Sequence, residues 1–187
     1  MKWLDYRLQR ERVKRVRPYV EQGSRVLDIG CADGALFRFF DARLAGGMGI
    51  DMDPVPASDG KYAYVRGAFP AALPAERQEF DLISALAVVE HVPEPEQEGF
   101  AAACFECLRP GGRVVVTVPS PRVDMVLHLL KSAHLADGMA DSQHYGFDPR
   151  KATSMFERAG FELERHSHFQ LGLNNLFVFR KPSESRA

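Results

Sequence analysis

The chain has 187 residues, 45% of them hydrophobic and 26% charged, with a formal net charge of −1. That length suits one domain with a sizeable core, and the charge balance gives no global pull towards nucleic acid or a membrane surface. Three cysteines without a second pair for a zinc site, and no long apolar run, fit a reduced, cytoplasmic protein without a membrane span.

Residues 2–21 predict a helix with Leu4, Leu8, Val13, Val16 and Val20 near one face. Its cations, Lys2, Arg7, Arg10, Arg12, Lys14, Arg15 and Arg17, read as a solvated face. Gly23 ends it, and a first strand follows at Arg25 to Ile29. The run Val26-Leu27-Asp28-Ile29-Gly30-Cys31-Ala32-Asp33-Gly34 carries this strand into a glycine turn that opens a helix over Ala35 to Leu44, closed by Gly46-Gly47. Such a turn lets a ligand approach the backbone closely and offers it free N–H groups. The next strand ends at Asp51, about twenty positions on, a distance that suits a carboxylate accepting from ribose hydroxyls.

Pro54, Pro56, Ser58, Asp59 and Gly60 leave little room for a helix before a third strand at Tyr62 to Arg66. A fourth strand, Phe80 to Ser84, runs into Ala85 to Pro93. A helix over Glu94 to Leu108 ends at Arg109-Pro110-Gly111-Gly112, and the apolar fifth strand Arg113 to Val118 suits burial on both faces. Cys104 and Cys107 share a helical stripe with Phe100 and Leu108, so packing is their expected role. Residues 122–136 predict another helix, 137–147 a looser stretch, and Asp148-Pro149 the cap of a helix that stops at Gly160. Phe161 to Leu171 alternates like an edge strand, whereas Leu176 to Phe179 is continuously apolar, so the final strand is expected antiparallel between the fifth and sixth. Residues 1–181 thus form a single expected domain, with 182–187 as a loose tail.

In this order, Val26 to Gly34, Gly49-Ile50-Asp51, Phe80 to His91 and Leu108 to Arg113, followed by His144 to Phe147 and Ala159 to Phe161, resemble the class I S-adenosylmethionine-dependent methyltransferases. Glu90-His91-Val92-Pro93 and Leu108 to Gly112 look like the small-molecule branch that includes ubiquinone- and menaquinone-pathway methyltransferases. The resemblance covers residues 20–180. It implies an α/β, Rossmann-like fold: a seven-stranded sheet in the order 3-2-1-4-5-7-6, last strand antiparallel, with helices on both faces. It implies S-adenosylmethionine as cofactor, S-adenosylhomocysteine as product, and a small organic acceptor whose methylated atom (O, N or C) stays open.

The resemblance also implies a cofactor site. Gly30, Cys31 and Gly34 would line the methionine portion, and Asp28 would hold the turn or the amino group. Asp51 would take the ribose hydroxyls, with Met52 against the adenine. Ser84, Ala85 and Leu86 would border the sulfonium. Three positions depart from the family pattern. Ala32 replaces a glycine, which a negative φ would tolerate. Ala68 replaces an acidic residue that accepts from the adenine amino group, leaving stacking by Phe69 or a backbone group to compensate. Ala87 replaces the first Glu of a Glu-x-x-Glu-His metal motif, so no metal is expected at Glu90 and His91. A non-catalytic cofactor-binding partner subunit or sensor is the alternative reading. A nicotinamide enzyme is disfavoured by the glycine pattern.

An oxygen or carbon nucleophile calls for a base, and histidine is the natural choice. Of six histidines, His91 and His144 are the candidates, the latter in a stretch, Pro121 to Phe147, expected to cover the acceptor. His128 and His134 are expected to pack or face solvent, and His166 and His168 to lie far from the chemistry.

Overall fold

The computed structural model describes residues 3–75, 79–120 and 148–183. Seven strands, β1 Ser24–Ile29, β2 Leu44–Asp51, β3 Tyr62–Arg66, β4 Phe80–Leu86, β5 Leu108–Pro119, β6 Glu162–Phe169 and β7 Asn174–Arg180, form one sheet in the order β3-β2-β1-β4-β5-β7-β6. The pairs from β3 through β5 are parallel, and β7 runs antiparallel to both β5 and β6. The expected order and reversal are therefore found. Among the described residues no helix is long and apolar enough to cross a membrane.

Alternation along the strands sorts side chains to two faces. Val26, Leu82, Val115 and Val178 pack with Val13 and Val16 of α1 (Trp3–Val16) and with Leu36, Phe37 and Phe40 of α2 (Ala35–Phe40). Leu27, Ile83, Val116 and Phe177 pack with Phe100 and Cys104 of α3 (Gln97–Cys107) and with Met155 and Phe156 of α4 (Pro149–Arg158). Cys104 is buried, as its stripe predicts. Asp148 caps α4 by accepting from Arg150 N–H at 3.0 Å. No helix separates β2 from β3.

Several boundaries differ from expectation, for physical reasons. The first helix stops at Val16, and Pro18 falls in a 3-10 turn, Arg17–Tyr19. The second helix ends at Phe40, because Gly46 and Gly47 belong to β2 and do not terminate a helix. At Gly47 a Cβ would lie 2.5 Å from Val26 O and 2.5 Å from the Phe37 ring, so these glycines serve close packing between neighbouring layers. The helix expected from Glu94 begins as a 3-10 turn, Glu94–Glu96, and β5 starts at Leu108, because the chain through Gly112 already pairs along the sheet. The helical stripe at 122–136 and the stretch to Phe147 lie outside the described residues, as does the tail from 184.

Candidate functional site

β1 and β4 stop side by side, with Ile29 paired to Ala85. Beyond Ile29 the chain turns through Gly30 and Gly34, both at φ +74, a left-handed conformation that favours glycine. The turn is pinned to the next strand by Gly30 N–H donating to Ile50 O at 2.8 Å, and closed by Gly34 N–H donating to Cys31 O at 2.8 Å. Space is as restrictive as angle: a Cβ on Gly30 would collide with Val88 Cγ2, and one on Gly34 would lie 2.5 Å from the Tyr64 hydroxyl. Ala32 has φ +44, so the negative φ that would make the alanine easily tolerated is not what the turn adopts. The Ala32 N–H donates to Asp51 Oδ2 at 2.7 Å, a bond that holds the left-handed residue in place.

Asp51 closes β2 and is only half-buried. Its other oxygen, Oδ1, accepts from Asp53 N–H at 2.9 Å. The carboxylate therefore joins the glycine turn to the end of β2, and each oxygen keeps lone-pair capacity for a ligand. Met52 beside it is 73% exposed, its carbonyl accepting from Arg66 Nε at 3.2 Å. Ala68 is exposed, while the Phe69 ring meets Phe100 edge-on at 5.1 Å and is half-buried.

The other expected positions lie deeper. Asp28 is buried in β1 and accepts from the Ser84 hydroxyl at 2.6 Å. Burial pushes its carboxyl up to about 7 against the Ser84 bond, and the charges of Asp51 and Asp33 raise it further. Asp28 thus braces the strands beneath the turn. Ser84 and Ala85 have no exposed surface, because β4 continues to Leu86, which is half-buried at the strand end. Cys31 is also buried, its Sγ lying against Gly49, and burial pushes its thiol up to about 12. Ala87 turns the chain at φ +59, with its N–H donating to Thr117 Oγ1 at 3.1 Å. Val88, which backs Gly30, lies within the Phe80 to His91 run but was not among the expected site residues.

α1 reaches over this turn, where Gln9 Nε2 donates to Asp33 Oδ1 at 2.9 Å. Glu90, in the 3-10 turn Val89–His91, is buried near the Arg12 guanidinium of the same helix. Burial pushes its carboxyl up to about 7, and its Oε2 has no hydrogen-bond partner among the described residues. Its amino-acid neighbour His91 is exposed, at the end of that turn. His144 lies outside the described residues. Among the described residues no three His, Cys, Asp or Glu side chains converge on a metal-sized site.

Residues 2–166 match the model of a family described as a methyltransferase domain. The chain belongs to that family. A stretch of 101 residues is 37% identical to a ubiquinone biosynthesis O-methyltransferase of Pseudomonas fluorescens, covering 49% of this chain and 43% of that protein. The chain thus matches less than half the length of that curated relative. Among solved structures, a SAM-dependent methyltransferase from Archaeoglobus fulgidus superposes with a TM-score of 0.69 at 16% identity, covering 94% of each chain. A TehB-like SAM-dependent methyltransferase from Corynebacterium glutamicum gives 0.67 at 20% identity, over 91% of this chain and 86% of that one. At such identities the likeness shows the fold, and the family's glycine turn, strand order and reversed β7 are all present in this chain.

Proposed function

We propose that this methyltransferase-family chain binds S-adenosylmethionine over the carboxyl ends of β1, β2 and β4 and transfers its methyl group to a hydroxyl of a small organic acceptor. The observation that carries the reading is Asp51. It is hydrogen-bonded to the glycine turn by one oxygen and to Asp53 N–H by the other, and is open enough to receive vicinal ribose hydroxyls. The left-handed turn through Gly30 and Gly34 supplies the second half of the fit, since it brings main chain to the carboxyl end of β1. Met52 offers an exposed thioether side chain for the adenine face, and Leu86 with Ala87 and Val88 forms the rim nearest the reacting methyl.

Bound S-adenosylmethionine supplies an electrophilic methyl carbon, which leaves as the neutral thioether forms. The chain's part is to hold the acceptor oxygen in line behind that carbon, exclude water and take up the hydroxyl proton. His91 and His144 are the proposed proton acceptors. Oxygen is favoured over nitrogen or carbon as the methylated atom by the relative named as a ubiquinone biosynthesis O-methyltransferase.

Replacing Asp51 by Ala should weaken binding of S-adenosylhomocysteine by roughly 1–3 kcal/mol, as expected for leaving hydroxyl donors without an acceptor. Isothermal titration of the two proteins measures this. Unchanged affinity would remove Asp51 from the site, and a ligand that fails to bind the native chain would remove the reading.

A further inference from the structure

α1 carries charge out of proportion to the rest of the chain. With the 3-10 turn that follows it, residues 3–19 hold six cations against Asp5 and Glu11, a local excess of four positive charges in a chain whose net charge is −1. Arg7, Arg10, Lys14 and Arg17 recur at intervals of three, four and three, which sets them along one side of the helix and its turn. All four are exposed, and at about 1.5 Å per residue the row is roughly 15 Å long. Lys14 Nζ meets Glu11 Oε1 at 2.6 Å, so this acid is already paired within the helix.

The rest of α1 is engaged by the body of the protein. Val13 and Val16 are buried with Leu36, Phe37 and Phe40 of α2. Gln9 reaches Asp33 in the glycine turn, Arg12 lies near Glu90, and the Arg15 guanidinium sits over the Phe169 ring at 5.1 Å. The helix is thus fixed along its inner side and presents a cationic outer side. Because its buried valines belong to the core, they are not available to enter a second apolar medium, and a partner meets the row from outside.

Two aromatic side chains on this layer show what kind of partner fits. Tyr6 of α1 is 52% exposed, and Phe39 of α2 is 41% exposed. A nucleic-acid strand needs a run of stacking rings along its line of cations, and single rings on two separate helices do not supply one. A lipid headgroup layer presents continuous negative charge in a plane, with an apolar border just beneath. That suits long Arg and Lys stems together with isolated rings. We propose that the outer side of α1, with Tyr6 and Phe39, docks this chain reversibly on an anionic lipid surface. α1 also borders the ends of β1 and β4, through Gln9 with Asp33 and Arg12 near Glu90, so docking sets the carboxyl ends of the sheet beside the headgroups. The lipid contact does not rest on the methyl-transfer reading.

The test is co-sedimentation of the full chain with phosphatidylcholine vesicles, with and without about 30% phosphatidylglycerol, in low and high salt. The expected result is binding to the anionic vesicles that falls steeply as salt screens the exposed charges, and none to the neutral ones. Arg10→Glu combined with Arg17→Glu should weaken binding about twenty-fivefold or more, at roughly fivefold for each cation lost. Tyr6→Ser combined with Phe39→Ser should weaken it about fivefold. Melting temperatures check that each variant folds, and Arg10→Gln with Arg17→Gln replaces the charge reversal if that variant does not. Equal binding to both kinds of vesicle, or binding to neither, overturns the proposal. So does unchanged affinity in the charge variant or in the ring variant, or tighter binding to poly(U) than to anionic vesicles at equal phosphate. The rise in melting temperature with S-adenosylhomocysteine, scored on the same samples without vesicles, decides the methyl-transfer reading separately.

Discussion

The two halves of the sheet are built in opposite ways. From β3 to β4 the chain is shaped by backbone: left-handed glycines, N–H groups donated to Ile50 O, and strand glycines with side-chain or carbonyl atoms where a Cβ would be. From β5 to β6 it is shaped by side chains from separate elements. In the first half the closest contacts include main-chain atoms, such as Val26 O against Gly47, that cannot be exchanged. In the second half the residues concerned are exposed side chains on an edge strand and a helix end, which can be substituted without moving backbone.

This contrast is sharpest at Gly47. Gly47→Ala should cost about 3 kcal/mol, because Val26 O is backbone and cannot move aside, and the extra methyl must displace either β1 or the Phe37 ring. Urea unfolding of the two proteins measures it, and a loss below about 1 kcal/mol would mean that the parallel half is as yielding as the other.

Glu90 gives a smaller effect that depends on pH. Its carboxyl ordinarily titrates at 4.5 and is pushed up to about 7 by burial, which outweighs the nearby Arg12 charge. The folded protein therefore holds this proton more tightly than the unfolded chain. Glu90's stabilising contribution is complete below pH 4.5 and falls away as pH rises through about 7. Glu90→Gln keeps the shape without the charge, so it should be about 2 kcal/mol more stable than the native protein at pH 8 and nearly equal to it at pH 4. Thermal melts across that range test the sign; a variant less stable at pH 8 would mean that the Arg12 attraction dominates.

In the antiparallel half, Arg113 Nε meets Glu164 Oε2 at 2.8 Å on the surface. Glu164→Ala should change stability by no more than about 0.5 kcal/mol, as for an exposed ion pair. A loss comparable to that of Gly47→Ala would abolish the distinction between the halves.

The same division explains what could be read from the sequence. A strand running into Gly30 and Gly34, and a carboxylate at the end of the following strand, are local patterns whose spacing survives folding, so the turn and Asp51 were legible. The continuously apolar Leu176 to Phe179 likewise gave β7 its interior place. Gly46 and Gly47 were misread because a glycine pair after a helix has the same one-dimensional signature as a glycine pair admitting a neighbouring ring. The left-handed φ of Ala32 was not legible, since it depends on Asp51, which comes nineteen residues later. Nor was the meeting of β6 with α4: His166 and His168 on β6 were expected to be remote, and only the hairpin pairing and the position of α4 bring them to Asp148 and Asn175.

Among the described strands, the seventh in chain order occupies an inside lane. Until Asn174–Arg180 has been synthesised, Val114, Val116 and Val118 on β5 have no partner on that side, and β6 has nothing to pair with. The growing polypeptide thus presents an open, aliphatic strand border on the ribosome, a template for intermolecular pairing that closes only when the final hairpin zips in. Slowing translation over the codons for residues 170–180, or removing the Phe177-Val178-Phe179 segment, would prolong that exposed interval and drive nascent chains into aggregates.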